Sequence, residues 1–170
     1  MPAFIKSYIR IVEKVNRSIG MVTMYLVVVM MGILLFSSIS DAVFNKPYLW
    51  VMEMAQFTMA AYYLLGGGYS MQLDAHVRMD VLYSRWSPKK QAFTDSITAF
   101  FLVFYLLVLL YGGFSSTEYA ITYNQKNYSA WAPPMWPIKV IMTLGIFLML
   151  LQSIAIFFKD LARARGKEIE

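Results

Sequence analysis

The single histidine of the 170-residue chain, His76, is the first candidate for catalysis or metal binding. It stands between Asp74 and the pair Arg78 and Asp80. On a helix, His76–Asp80 and Asp74–Arg78 would both be i, i+4 pairs, whose side chains meet on one face. The chain has no cysteine and no second histidine, which disfavours a haem site, a zinc site or a catalytic triad within it. We expect no metal and no cofactor here, and we expect these residues to brace a turn.

Glu53 is the one acid that could serve as a membrane-embedded transport residue. It lies six residues beyond Pro47, on the order of 9 Å along a helix, which places it near the membrane surface and away from the bilayer centre. Two interpretations remain open, an interfacial salt-bridge partner, which we favour, or an acid that extends toward the headgroups. Neither makes Glu53 a carrier site.

The run Gly66-Gly67-Gly68 has neither the preceding strand nor the lysine of a phosphate-binding loop, so nucleotide binding is disfavoured. Small residues in a membrane helix let a neighbouring helix approach closely or let the helix bend. We expect one of these structural roles for the three glycines.

The composition indicates a membrane protein. Hydrophobic residues make up 59% of the chain, charged residues 15%, and the mean hydropathy is +0.53, whereas soluble domains are about 25% charged. Four long runs without charge are present, and a run of about 20 residues crosses the hydrocarbon core as a helix. The sequence therefore predicts one all-α integral membrane domain, residues 1–170. Its four transmembrane helices are expected at about residues 18–44, 48–73, 89–117 and 137–159.

Basic residues predict the orientation. Twelve of the 15 lysines and arginines lie before the first uncharged run, between the second and third, or after the fourth, and three lie on the other side. The positive-inside rule then puts both termini and the middle loop in the cytoplasm. The basic charge is thus a topology signal, and a nucleic-acid partner is not expected.

Residues 2–17 form an amphipathic pattern with one basic stripe. We predict an interfacial N-terminal helix with its cations toward lipid headgroups, and a simple extension of the first span stays equally open. The residues expected at the lipid interface are Lys6, Arg10, Lys14, Arg17, Lys89 and Lys90.

The outer loop, residues 118–139, is rich in aromatic residues and prolines. One interpretation is an aromatic belt that caps the helices. The other is that part of this surface also docks a periplasmic protein.

Four motifs in order resemble the DctQ-like family, the small membrane subunits of tripartite ATP-independent periplasmic (TRAP) transporters. They are Trp50-Val51-Met52-Glu53, His76-Val77-Arg78-Met79-Asp80, Ser87-Pro88-Lys89-Lys90 and Pro134-Met135-Trp136. The first departs from the family pattern, because Glu53 stands alone where the family often has two glutamates. A role that needs both acids is therefore in doubt.

The resemblance implies a complex in the bacterial inner membrane. A periplasmic binding protein would deliver an organic acid, such as sialic acid, a dicarboxylate, a 2-oxo acid or a sulfonate, to a large membrane subunit driven by a sodium gradient. This chain would be a non-catalytic scaffold without substrate or sodium of its own. Trp50, Glu53, Gly66, Gly67, Gly68, His76, Arg78 and Asp80 would then be structural or subunit-interface residues. Two other functions stay open, a self-sufficient oligomeric exporter that relies on Glu53 and a four-helix cytochrome-type anchor.

Overall fold

The computed structural model describes residues 3–73 and 88–164. Apart from one isolated bridge between Lys126 and Pro134, the regular structure in these ranges is helical. The helices are α1 (Ala3–Phe44), α2 (Trp50–Gln72), α3 (Pro88–Thr122) and α4 (Trp136–Ala164). The all-α prediction is confirmed.

Three of the described helices are long and apolar enough to cross a membrane. The qualifying segments are Phe4–Phe44, Ile97–Thr122 and Trp136–Ala162, with mean hydropathies of 2.5, 2.3 and 2.4. The 23 residues of α2 would extend roughly 34 Å, but Glu53, its glutamines and its glycines make it less apolar. The fourth span and the orientation of the helices stay predictions.

Helix α1 passes residue 17 without a break, so residues 3–17 are its first turns and not a separate helix. This matches the alternative in which the N-terminal segment extends the first span. At 42 residues the helix is about 63 Å long, roughly twice the hydrocarbon thickness. It must therefore tilt strongly or project from the bilayer. Its four cations, Lys6, Arg10, Lys14 and Arg17, are exposed, and their contact with lipid stays a prediction.

The described helices form an open array in the order α1–α2–α4–α3. Helix α2 packs against both α1 and α4, α3 packs against α4, and α1 reaches α4 through a small cluster of Ile9, Val12 and Ala155. In the apolar stretches, 44% of α4 residues are buried but only 11% in α1 and 17% in α3. Helices α1 and α3 are therefore edges that leave wide apolar faces uncovered.

Glycines allow α2 to lie close to both α4 and α1. A Cβ atom built at Gly145 of α4 would lie 2.6 Å from the carbonyl oxygen of Leu64 in α2, and one at Gly20 of α1 would lie 2.5 Å from Cβ of Tyr69 in α2. Backbone lies against backbone at Gly145, so no side-chain movement can make room there. Such close contacts between small residues stabilise helix association in lipid, where hydrophobic burial contributes little to it.

Candidate functional site

Three of the expected site residues, His76, Arg78 and Asp80, lie outside the described residues. Lys90 is exposed in the first turns of α3. Lys89 belongs to the same helix, and the four expected cations of α1 are exposed. The residues with an expected structural or interface role that the structure describes all lie on α2, namely Trp50, Glu53, Gly66, Gly67 and Gly68.

Trp50 belongs to an aromatic cluster at the turn between α1 and α2. Its ring centroid is 6.4 Å from that of Phe36 in α1 and 6.2 Å from that of Tyr48, and the rings of Phe36 and Tyr48 are 5.6 Å apart. Trp50 is half-buried at the first position of α2. The cluster therefore fastens the start of α2 to the last third of α1.

Glu53 lies in the first turn of α2 and is buried, with 7% of its surface exposed. Its Oε2 atom is enclosed and accepts no hydrogen bond, and no ion pair to Glu53 occurs in the described part of the chain. The salt-bridge partner that we favoured from the sequence is thus not supplied there. The helix N-terminus favours a negative charge, but that effect is small beside the loss of hydration.

The orientation of Glu53 follows from helical spacing. It precedes Leu64 by 11 residues, close to three full turns, so the two share one stripe of α2. Leu64 contacts α4 at Gly145. Glu53 therefore lies on the side of α2 that turns toward α4.

The three consecutive glycines lie in unbroken helix α2. A Cβ atom at Gly67 would lie 2.5 Å from Sδ of Met149 in α4, and one at Gly68 would clash with the amide of Asn16 in α1. One at Gly66 would only touch the methyl group of Thr23 at 3.8 Å. The structure thus places Gly67 and Gly68 at close helix contacts within the chain.

A buried polar junction joins α1, α2 and α4, and sequence reasoning missed it. Asn16 Nδ2 donates a hydrogen bond to Gln152 Oε1 at 3.0 Å, and both side chains are 1% exposed. Beside them Ser153 Oγ donates to Met71 Sδ at 3.8 Å. Amides inside apolar helices are a signal for interhelical hydrogen bonds, so Gln152 within the fourth uncharged run could have indicated it.

An ion pair joins α1 and α4 nearer to the two chain termini. Glu13 of α1 pairs with Lys159 of α4, and the hydroxyl of Tyr8 donates to the carbonyl oxygen of Leu151 at 3.1 Å. Both charged side chains keep a quarter to a third of their surface exposed. In the sequence, Lys159 counts only toward the orientation signal.

The connection between α3 and α4 is shorter than the predicted loop, because α3 ends at Thr122 and α4 begins at Trp136. Lys139 holds it in place by donating to Gln125 Oε1 at 2.7 Å and to the carbonyl oxygen of Ser116 at 3.3 Å. Tyr128 is fully exposed and Trp131 is 42% exposed. The loop is therefore fastened at its base and presents aromatic rings outward.

An open groove of about 610 Å³ runs between α1 and α4, with α2 as its floor. The hydroxyl groups of Thr23 and Thr58 in its lining are already used within their own helices. Each Oγ1 donates to a carbonyl oxygen of the same helix at 2.7 Å. The lining is otherwise almost wholly apolar. The groove suits an acyl chain or an apolar helix face, and it lacks the donors that an organic anion needs.

The family model for the DctQ component of tripartite ATP-independent periplasmic transporters matches residues 30–163, well over half of the chain. The chain belongs to the DctQ family. The resemblance inferred from the four motifs is thus confirmed. A comparison with curated proteins gave no match.

In this DctQ component, the matched residues include α2, α3, all but the last residue of α4, and the last third of α1. Trp50, Glu53 and the three glycines therefore lie in the part that defines the family. Residues 1–29 lie outside the match, and they supply the α1 side of the polar junction and of the ion pair. Family membership makes the protein a membrane component of a transporter that works with a large membrane subunit and a substrate-binding protein.

Proposed function

We propose that this DctQ component is the non-catalytic scaffold on which the large membrane subunit of a TRAP importer is held. The open helix array supports this role most directly. Its edge helices α1 and α3 leave apolar rows uncovered, including Val28, Leu35 and Phe104, each at least 60% exposed. Lipid can cover such faces, and a second membrane subunit packed on one of them would widen the membrane footprint of the assembly.

The solute path belongs to the large subunit in this proposal. The groove of the DctQ component has no charged lining residue, whereas carrying an organic acid across lipid requires fixed hydrogen-bond donors or cations. We propose that the imported solute is an organic acid, namely sialic acid, a dicarboxylate, a 2-oxo acid or a sulfonate, and that a sodium gradient drives import. Its specificity would reside in the other two components.

The proposed orientation has both termini in the cytoplasm of a bacterium with the helices in the inner membrane. The distribution of 12 and 3 basic residues supports it. The aromatic loop between α3 and α4 would then face the periplasm. Its outward rings, Tyr128 and Trp131, make it the proposed docking point for the substrate-binding protein.

Reconstitution tests the proposal. Liposomes that contain the DctQ component alone should take up no solute. Sodium-dependent uptake should need the large subunit and the binding protein as well, and omission of the DctQ component should lower it by reducing the amount of assembled large subunit. Robust uptake by this chain alone would contradict the scaffold role.

A further inference from the structure

Glu53 is the one acidic or basic side chain that is buried among the residues the structure describes. Its enclosed Oε2 atom has no hydrogen-bond partner. A carboxylate can accept about four hydrogen bonds, and a buried one is normally paired, because its desolvation is otherwise uncompensated. The outer end of α2 therefore carries an acceptor that the described chain does not use.

No cation among the residues that the structure describes is paired with this acceptor. Lys46 and Lys126 are exposed, and Lys139 donates to Gln125 and to Ser116. The described part of the chain therefore leaves this carboxylate without a cation.

We propose that an arginine or lysine of the large membrane subunit pairs with Glu53 when the transporter assembles. The inference rests on the proposed function and names the chemistry of the contact. A cation suits this acceptor better than a neutral donor, because it also balances the carboxylate charge where the dielectric constant is low.

The groove lies next to Glu53, so a helix of the large subunit bound in the groove could contact this residue. Met54, the residue after Glu53, lines the groove, as does Pro137 at the start of α4. A helix of the large subunit that covers the groove brings its own side chains beside Glu53. The cation meets the carboxylate through the 7% of the residue that stays exposed, after rotation of the glutamate side chain.

The test compares the isolated chain with the complex, because the inference predicts opposite effects in the two. Glu53→Gln removes an unpaired buried charge, so the melting temperature of the isolated chain in detergent should stay the same or rise. The same variant should bind the purified large subunit about tenfold more weakly or worse, since a hydrogen-bonded charge pair is lost. Glu118→Gln, which changes an exposed acid in the last turns of α3, is the matched control and should alter neither quantity.

The outcomes separate the inference from the proposed function. If the wild-type chain does not bind the large subunit, the proposed function fails. If it binds and Glu53→Gln binds equally well, the inference fails and the scaffold role stands. If Glu53→Gln lowers the melting temperature of the isolated chain, the carboxylate serves the fold of its own chain and the inference is likewise overturned.

Discussion

Asn16 and Gln152 are 136 positions apart in sequence, and a 3.0 Å hydrogen bond from Nδ2 of Asn16 to Oε1 of Gln152 joins them inside the protein. Both side chains are 1% exposed. The bond links the first helix to the last at the level where Gly68 of α2 contacts Asn16. Asn16 therefore lies at the point where three helices meet.

Asn16→Ala should destabilise the isolated chain, because it leaves the amide of Gln152 buried without its partner. Interhelical hydrogen bonds in membranes contribute roughly 0.5–2 kcal/mol, so unfolding in mixed micelles should show a loss of that order. The double variant with Gln152→Ala should lose less than the sum of the two single changes. Strict additivity would show that the two amides do not interact, and Thr98→Ala, at an exposed site, should have little effect.

Gly145→Ala should separate α2 from α4. The added Cβ atom would lie 2.6 Å from the backbone oxygen of Leu64, which cannot move aside as a side chain could. We expect a loss of about 1–3 kcal/mol in unfolding free energy. The control is Gly112→Ala, where no atom lies within 4 Å of the new Cβ and better helix propensity should stabilise α3 slightly. Equal effects at the two sites would rule out the close approach.

The helices could be predicted from the sequence because lipid offers no hydrogen-bond partners to the backbone. The N–H and C=O groups of an apolar run must therefore bond to each other, as they do in a helix. Residues 48–73 were expected to span the membrane, and α2 covers Trp50–Gln72. Helix α3 continues past the predicted span of about 89–117, since Glu118 lies inside the helix. A charge marks the edge of the apolar layer, while the helix itself continues into water.

The contacts between helices could not be predicted in the same way. Gln152 is conspicuous in an apolar run, but the periodicity of a single helix does not say which neighbour it faces. The pairing with Asn16 depends on the order α1–α2–α4–α3, which hydropathy does not encode. Glu53 was recognised as unusual, yet only the structure shows that it is buried without a described partner.

The contact between the first turns of α1 and the end of α4 should be open to cross-linking, because the chain has no cysteine of its own. Val12 and Ala155 are both buried in one cluster. Val12→Cys combined with Ala155→Cys should form an intramolecular disulfide on mild oxidation, detected as a shift in gel mobility. The pair Leu107→Cys and Ala155→Cys should not, since Leu107 is 50% exposed on α3. Without a cross-link in the first pair, α1 would not lie along α4 as described.

The turn after α2 should matter for assembly more than for solute binding. Arg78 and Asp80 lie outside the described residues, and they are proposed to stabilise this turn or its contact with the large subunit. Arg78→Ala or Asp80→Ala should lower the yield of co-purified complex several-fold, because each would remove one member of the i, i+4 pairs, Asp74–Arg78 and His76–Asp80, that the sequence predicts there. The solute concentration for half-maximal uptake by the remaining complex should stay unchanged, since no solute contact is lost. Lys90→Ala, at an exposed position, is the control. A fall in solute affinity with normal co-purification would place these residues in the solute path and contradict the scaffold role.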